Sequence, residues 1–395
     1  MNKFEVFRYY KKIITRIILF PLKLMPVNKN RVLLINDMSP HYNDNLKYIG
    51  DELRKRNKDL ELIYAGYSLD CVDILKEKQI KPVELNSLEY FIYGMTSRVL
   101  VTNSGGISYL PLNRNQYVLN TWHGGGAYKK MGIDTYEDTP MFRKDMALAS
   151  RETDVLLTTC KRFKYAYCNA MLELPEKFWD IGMPRNDILK NGDKEKREKI
   201  RRELGLGTED RLVLFAPTYR KQNDDYFDDS IAISYGIDEM RICNALKERF
   251  GGDWIFAYRY HPCIVNKQNI DSSNDVIDLT DYDDMQELLL AADVLINDFS
   301  SSMWDFMLTG KPCFIFAKDL QHYIDTTDLY TPVSEWPFSI AESNEELVEN
   351  IKKFNEKSYA VDCKRHYDLL EGCETGEATQ IVCDWIENKC DNQRK

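Results

Sequence analysis

Short apolar runs alternate with helix-length segments along almost the whole chain that follows Pro26. In the first half, runs of strand length and strand composition occupy residues 31–37 (RVLLIND), 60–66 (LELIYAG), 98–103 (RVLVTN), 116–122 (QYVLNTW) and 155–160 (VLLTTC). Strands that alternate with helices are joined by helical crossovers, and such crossovers build parallel sheets that helices cover on both faces. The pattern therefore predicts an α/β fold.

A charged stretch at residues 190–210 interrupts this alternation and is typical of a linker with an exposed helix. Strand-like runs then resume at 211–217, 254–260, 276–280, 293–298 and 312–317. A chain of 395 residues is too long for one ordinary core, which also favours two domains. The predicted division is a Rossmann-like domain over 26–189, a second over 190–375 and a C-terminal helix over 376–395. Because ligands of doubly wound domains bind beyond the carboxyl ends of the strands, we expect the site in a cleft between the domains.

The first 25 residues differ from the rest of the chain in charge. They carry Lys3, Arg8, Lys11, Lys12, Arg16 and Lys23 against the single acid Glu5. A helical wheel puts Arg8, Lys12 and Arg16 on one face, opposite an apolar face of Val6, Tyr10, Ile13, Ile14, Ile17 and Phe20. Residues 1–25 are therefore predicted to be a basic amphipathic helix that associates with a membrane surface. The alternative is a helix that packs on its own domain or on a partner.

Net charge and cysteine usage narrow the class of protein. The formal charge is -10, whereas a sequence-nonspecific nucleic-acid binder is more often basic, so nucleic acid is not an expected partner. The ten cysteines form no CxxC pair, which argues against a zinc site and fits a reducing compartment. A disulfide framework is the less favoured alternative. We therefore expect a cytoplasmic protein on the inner face of the cell membrane.

The stretch from DVLIND to PCFIFA reads as a strand, a helix and a second strand. Its first strand ends at Asp298, and Ser300, Ser301 and Ser302 open a helix that is predicted to run to about Thr309. A helix N-terminus offers unsatisfied N–H groups and a partial positive charge, which suit a phosphate. Ordinary N-capping by one serine explains the same pattern equally well.

Two further strand ends of the second domain carry phosphate-binding side chains. YRYHP (258–262) supplies Arg259 and His261, and APTYR (216–220) supplies Thr218 and Arg220. Arginine binds phosphate oxygens bidentately, and histidine adds a donor. A structural histidine at a strand end is the alternative for YRYHP.

The segment NTWHGGGAYKKMG (120–132) follows a predicted strand of the first domain. His123 stands at the carboxyl end of that strand, where a neutral imidazole can act as a base. Gly124, Gly125 and Gly126 allow a ligand to approach the backbone closely. Lys129 is predicted to lie one turn into a following helix.

Five motifs in a fixed order carry a resemblance to a known family. TWHG, GMPRND, APTYR, RYHP and NDFSSSMWDF recur in this order, and HYNDNLKYI precedes them, within about residues 31–325. The chain resembles the CDP-glycerol glycerophosphotransferases, which build teichoic acids and related capsular polymers. The resemblance implies a GT-B arrangement of two Rossmann-like domains. It also implies transfer of glycerol phosphate from CDP-glycerol to a hydroxyl of a lipid-linked acceptor, with CMP released.

The resemblance also implies roles for individual residues. His123 matches the general base, and His261 matches a pyrophosphate-binding histidine. The implied donor-binding residues are Thr218, Arg220, Asp298, Ser300 and Ser301, and the strand-end position adds Arg259 to the predicted donor site. The loop of Gly124, Gly125, Gly126 and Lys129 departs from the family pattern, which usually has Thr-Pro soon after His-Gly, and is expected to face the acceptor.

Three alternatives to this function stay open. One is a GT-B glycosyltransferase that uses a nucleotide sugar, another is a non-catalytic, membrane-associated donor-binding protein, and the third is a transferase whose donor carries ribitol or another polyol. The nearest acidic motif, DYDD (281–284), precedes a helix and reads as a cap. We therefore predict that the reaction does not strictly require a metal and that Mg²⁺ can at most stimulate it.

Overall fold

The computed structural model describes residues 3–135, 138–218, 236–260 and 276–391. The chain divides into two compact units: Met1–Asp187 together with Leu370–Lys395, and Ile188–Leu369. The first division lies within two residues of the predicted boundary at 189/190. Residues 370–375, which were predicted to lie in the second domain, instead belong to the first unit, as does the C-terminal helix.

The described residues form thirteen strands and fifteen α-helices. The strands are β1 Asn28–Asn36, β2 Glu61–Gly66, β3 Lys81–Glu84, β4 Ser97–Thr102, β5 Tyr117–Asn120, β6 Val155–Thr158, β7 Phe178–Asp180, β8 Asp210–Phe215, β9 Asp253–Tyr258, β10 Val276–Asp278, β11 Val294–Asn297, β12 Cys313–Phe316 and β13 Ser339–Ala341. The helices are α1 Lys3–Leu19, α2 Asp44–Arg56, α3 Val72–Glu77, α4 Leu88–Thr96, α5 Pro140–Glu152, α6 Lys161–Met171, α7 Asp187–Asn191, α8 Lys194–Glu203, α9 Glu239–Phe250, α10 Met285–Ala291, α11 Ser302–Met307, α12 Leu320–Thr326, α13 Asn344–Lys352, α14 Glu356–Leu369 and α15 Ala378–Asp391.

The first unit is built on a seven-stranded sheet. Its order is β3-β2-β1-β4-β5-β6-β7, and all its strand pairs are parallel. Alternate residues of β1 point to opposite faces, so Val32 joins one core with α2 and α15, while Leu33 joins another with α4. The strand order reverses between β1 and β4, which creates a switch point at the carboxyl edge.

The second unit repeats this plan with six parallel strands. The order β10-β9-β8-β11-β12-β13 reverses between β8 and β11. Its largest fully buried side chains include Phe215, Phe256 and Trp304. The predicted α/β class with two Rossmann-like domains is therefore confirmed, whereas the cleft between them stays a prediction.

Local predictions fail where the chain has little periodicity. The short strands β3, β7 and β13 were not predicted, because runs of three or four residues with few apolar side chains give no clear pattern. The prediction of a helix that contains Lys129 is wrong, since the chain there is irregular until a 3₁₀ turn at Gly132–Asp134. Helix α11 is also shorter than predicted, because it ends at Met307.

Helix α1 contacts the first unit through its basic face. Lys12 Nζ lies 2.7 Å from a carboxylate oxygen of the buried Asp145 of α5. Arg16 donates to the carbonyls of Ser108 and Leu110 and pairs with Glu152 at 2.7 Å. These contacts use polar side chains, whereas the last residue of the helix, Leu19, is buried in the core that contains Leu33.

The opposite side of α1 and the turn that follows it are exposed. Seven large apolar side chains there are 52% to 91% exposed: Phe7, Tyr10, Ile14, Ile17, Ile18, Phe20 and Leu24. We call this set the exposed apolar face. Among the helices of the described residues, none combines the length and hydrophobicity needed to cross a bilayer.

Candidate functional site

The carboxyl edge of the first sheet is lined by buried amide side chains at its switch point. Asn36 ends β1 and Asn103 follows β4, and both are at most 1% exposed. Asn103 Nδ2 donates to Asn36 Oδ1 at 3.1 Å and to Asp44 Oδ2 at 3.0 Å. These bonds tie the ends of two strands to the start of α2, at the edge where doubly wound sheets bind ligands.

His123 lies beside this amide cluster, three residues beyond the end of β5. Its Nδ1 atom is 2.8 Å from the carbonyl oxygen of Asn103. A carbonyl oxygen can only accept, so Nδ1 carries the proton and the neutral ring keeps its lone pair on Nε2. The ring stacks on Trp122 with centroids 4.6 Å apart and planes 24° apart. The half-buried imidazole is thus held in one orientation, and its predicted role as a base stays a prediction.

The turn that presents His123 has an unusual backbone. Trp122 has φ of 58°, in the left-handed region that large side chains rarely adopt. The Trp122 N–H donates to Asn120 Oδ1 at 2.8 Å, and the Trp122 carbonyl accepts from Asn45 Nδ2 at 3.0 Å. Side chains on both sides of the turn therefore hold this conformation.

Arg185, from the GMPRND motif, contacts the same turn from a different part of the chain. Its Nη1 atom donates to the carbonyl of His123 at 2.8 Å and to Asp44 Oδ1 at 2.9 Å. Its backbone N–H donates to Asn45 Oδ1 at 3.1 Å. The side chain is 10% exposed, so these bonds lie largely out of water.

The C-terminal segment supports the GMPRND motif. The carboxylate of Glu374 accepts from the Met183 N–H at 3.1 Å and from Asn186 Nδ2 at 2.7 Å. Gly182 has φ of 84°, and a Cβ there would lie 2.8 Å from the Cα of Glu374. Only glycine allows this close approach, so the return of residues 370–395 to the first unit shapes the surroundings of Arg185.

The glycines after His123 form a packed loop. Gly126 has φ of 68° and donates its N–H to Thr159 Oγ1 at 3.0 Å. Gly125 and Gly126 are buried, Gly124 is half-buried and Lys129 is exposed. Only part of the predicted acceptor loop thus reaches the surface, and its role toward an acceptor stays a prediction.

The second sheet places Thr218 and Asp298 together at its own switch point. The two Asp298 oxygens both lie 2.9 Å from the Thr218 amide nitrogen and 3.0 and 2.9 Å from its hydroxyl. Asp298 is 1% exposed, and one of its oxygens also accepts from the Phe299 N–H. The carboxylate therefore fixes the backbone that follows β8, and its predicted contact with the donor stays a prediction.

A turn of serines connects β11 to α11. Asn297 Nδ2 donates to the Ser300 carbonyl at 2.9 Å and lies 3.2 Å from Ser302 Oγ. Ser300 Oγ accepts from the Ser302 N–H at 3.3 Å. Ser301 occupies the N-cap position, yet its side chain makes no capping hydrogen bond. Ser300 thus meets the capping alternative, and the predicted contacts of Ser300 and Ser301 with the donor stay predictions.

The remaining predicted donor residues have different outcomes. Arg259 is half-buried, and its Nη1 donates to the carbonyls of Leu279 and Tyr282. Burial lowers the pKa of Arg259. Through Nη1 this side chain braces residues 279–282, and its predicted contact with the donor stays a prediction. Arg220 and His261 lie outside the described residues, so their predicted roles stay predictions.

Four side chains that shape the first edge were not singled out from the sequence. They are Asn36, Asn45, Asn103 and Arg185. For Asn36 and Asn103 the signal was their place at the ends of β1 and β4, where the strand order reverses, and for Asn45 and Arg185 it was the HYNDNLKYI and GMPRND motifs. Within the described ranges, no group of three or more His, Cys, Asp or Glu side chains is arranged to hold a metal ion.

Comparison with known proteins assigns a family. The model of the CDP-Glycerol:Poly(glycerophosphate) glycerophosphotransferase family matches residues 18–388. A teichoic acid glycerol-phosphate transferase of Staphylococcus aureus is 26% identical over 95% of this chain and 98% of its own length. A teichoic acid poly(glycerol phosphate) polymerase of Staphylococcus epidermidis is 27% identical over 89% of this chain, which spans 50% of that longer protein.

A solved structure shows the same fold over nearly the whole chain. It is a variant of the wall teichoic acid polymerase TagF, soaked with CDPG, and it matches with a TM-score of 0.79 at 25% identity. The match covers 99% of this chain and 98% of that one.

Proposed function

This chain belongs to the CDP-glycerol:poly(glycerophosphate) glycerophosphotransferase family and is a polyol-phosphate transferase of teichoic acid synthesis, and on that premise we propose its substrates. The donor is CDP-glycerol, and the acceptor is a hydroxyl of a membrane-linked teichoic acid or capsular polymer. The observation that carries the proposal is the orientation of His123, whose Nδ1 is fixed by the Asn103 carbonyl so that Nε2 keeps its lone pair.

The proposed reaction is a single in-line displacement. His123 Nε2 accepts the proton of the acceptor hydroxyl, and the hydroxyl oxygen bonds to the phosphorus that carries glycerol. The bond from that phosphorus to the bridging oxygen breaks, and CMP leaves with the bonding electrons. Positioning and charge stabilisation supply most of the catalysis in such transfers. We assign the charge stabilisation to His261, Arg220 and the Ser300–Ser301 turn.

A panel of donors tests this reaction. The full-length protein is incubated with a lipid-linked glycerol-phosphate acceptor and with CDP-glycerol, CDP-ribitol or UDP-sugars, and nucleotide release and product mass are measured. CMP release with addition of one glycerol phosphate supports the proposal. Turnover of a UDP-sugar alone would favour the glycosyltransferase alternative, and donor binding without turnover would favour the non-catalytic one. Preference for CDP-ribitol would change the polyol but not the reaction.

The exposed apolar face supports docking on a membrane surface. A helix held by its basic side through Asp145 and Glu152 leaves apolar side chains with no cover among the described residues. A groove of about 1000 Å³ beside it is lined by apolar Ile13 and by the cation Lys23. Large exposed apolar patches mark interaction surfaces, and an interfacial helix buries such a face among lipids. We place the protein at the inner face of the membrane, where a nucleotide donor and a lipid-linked acceptor meet.

Liposome sedimentation tests this docking. Replacing Ile14, Ile17 and Ile18 together by Glu should release the protein from liposomes, because three charges would enter the lipid interface. The control is Val361→Glu, since Val361 is 67% exposed on α14, outside this face. Deletion of residues 1–25 should also release it. Continued binding of the triple variant would refute docking through this face.

We infer that the transfer does not strictly require a metal. Activity should persist in excess EDTA, with at most a moderate gain on adding Mg²⁺. Complete loss that Mg²⁺ restores would contradict this inference.

A further inference from the structure

The turn that carries His123 needs external support. Trp122 has φ of 58°, a strained conformation for a bulky residue, and such a conformation persists only where the surroundings impose it. A flexible turn would relax and move the His123 ring with it. The side chains that impose the turn therefore decide where the proposed base stands.

Two consecutive carbonyls of the turn are each held by a buried side chain. Asn45 Nδ2 donates to the Trp122 carbonyl at 3.0 Å, and Arg185 Nη1 donates to the His123 carbonyl at 2.8 Å. The two holders are themselves joined, because the Arg185 N–H donates to Asn45 Oδ1 at 3.1 Å. Asn45 is fully buried, so this amide has little freedom to rotate.

The contacts of Arg185 close a ring of hydrogen bonds around His123. Arg185 Nη1 pairs with Asp44 Oδ1 at 2.9 Å, and Asp44 Oδ2 accepts from Asn103 Nδ2 at 3.0 Å. The Asn103 carbonyl in turn accepts from His123 Nδ1 at 2.8 Å. One chain of hydrogen bonds, which runs through Asp44, thus fixes both the backbone carbonyl and the ring of His123.

We propose that Arg185, which an ion pair with Asp44 holds in place, is a positioning residue for His123. It contacts the backbone of the base and sets where Nε2 stands, while the Asn103 carbonyl sets which way the ring faces. This inference rests on the proposed role of His123. A misplacement of about 1 Å can cost about 100-fold in rate, so the expected effect is on kcat.

Two simpler roles make different predictions. A buried ion pair that only stabilises the first unit would change the folded fraction but not kcat per folded molecule. An arginine that binds the donor phosphate would raise the donor KM when removed. The positioning role lowers kcat and leaves the donor KM nearly unchanged.

The test compares Arg185→Ala with Arg98→Ala in the full-length protein. Arg98 is the matched control, because it is 4% exposed and donates to the backbone carbonyls of Lys389 and Asn115 in the same unit. CMP release from CDP-glycerol is measured per folded molecule, with the folded fraction taken from thermal unfolding. We expect kcat to fall about 100-fold for Arg185→Ala with donor KM within about threefold, and to stay near wild type for Arg98→Ala.

Added guanidinium, at concentrations that do not unfold the protein, provides a second measurement. It should raise the kcat of Arg185→Ala at least tenfold, because the cation can occupy the space that the Arg185 side chain leaves beside Asp44. It should restore nothing in His123→Ala, which lacks the base. If Arg185→Ala does not fold, Arg185→Lys and Asp44→Asn replace it, and both should lower kcat by at least tenfold.

The proposal is overturned by wild-type kcat in the Arg185 variants, by a loss no larger than that of Arg98→Ala, or by a change confined to donor KM. Failure of the base assignment is distinct, since His123→Ala would then keep its activity. If His123→Ala is inactive while Arg185→Ala is fully active, the base assignment stands and only the positioning role is refuted.

Discussion

The two sheet edges share one topology but hold their loops by different means. In the first unit, the loop with His123 is strained and is held by a circuit through Asp44, Arg185 and Asn103. In the second unit, a single carboxylate, Asp298, holds the backbone of Thr218 across the switch point. The strand order therefore determines where a site forms, whereas the side chains determine how the loops at that site are held.

This difference suits the proposed chemistry. A base must stand at a defined distance from the hydroxyl that it deprotonates, so a rigid ring of bonds around His123 is useful. A diphosphate spreads its charge over several oxygens, so a loop that offers N–H and hydroxyl groups suffices. We expect substitutions at the first edge to act on kcat, and substitutions of Asp298 and Thr218 at the second edge to act mainly on donor KM.

The largest effect is expected for His123→Ala. Loss of general-base help should lower CMP release by about 10²–10⁴-fold. His366→Ala is the control from the second unit, because its Nδ1 also lies 2.9 Å from a backbone carbonyl, that of Glu335. The control should lose stability and keep its activity per folded molecule. Equal losses in both variants would mean that His123 serves the fold alone.

Asp298→Ala should produce the next largest effect. It leaves the Thr218 and Phe299 N–H groups without their acceptor, which should cost about 1–3 kcal/mol of unfolding free energy. The donor KM should rise, because the loop after β8 is no longer fixed. Asp298→Asn keeps one acceptor oxygen and should be milder on both measurements. An unchanged donor KM in a folded Asp298→Ala would separate this edge from the donor.

Replacement of one glycine in each unit by alanine should have a smaller effect on the free energy of unfolding. Gly126 and Gly310 have φ of 68° and 71°, so alanine is strained at both by about 1–2 kcal/mol. An added Cβ at Gly126 would also lie 2.4 Å from the Tyr128 ring, whereas nothing lies within 4 Å at Gly310. Chemical denaturation should show a greater loss for Gly126→Ala, and only that variant should lose activity. Equal stabilities would mean that the Tyr128 ring moves freely.

The smallest effect on activity is expected at the opposite edge of the second sheet, where the stability should depend on pH. Burial lowers the pKa of Lys311 to about 8, and its Nζ donates to the carbonyls of Leu290 and Ala292. The unfolded chain, with the higher pKa, binds more protons between about pH 8 and 10.5, so the free energy of unfolding should rise with pH there. Lys311→Met should lack this rise in pH-dependent denaturation curves and should keep wild-type CMP release. A parallel rise in both proteins would assign it to other groups.

Strong patterns made most of the fold predictable, and weak ones did not. The long apolar runs 31–37 and 211–217 became the central strands β1 and β8, because burial on both faces requires continuous apolar sequence. The strands β3, β7 and β13 are short and were missed. The chain after Gly126 was predicted as a helix, yet it is an irregular loop that the hydrogen bond from the Gly126 N–H to Thr159 ties to the strand end beside it.

The sequence by itself determined the class, the two Rossmann-like domains, the family, and the placement of His123 and Asp298 at strand ends, because periodicity and motif order are local properties of the chain. Only the tertiary structure decided that α1 docks by its basic side, that Arg259 braces a loop and that residues 370–395 return to the first unit. It alone brought Arg185 to His123, 62 residues away in the chain. Such contacts depend on which distant segments the sheet brings together, and no local pattern records that.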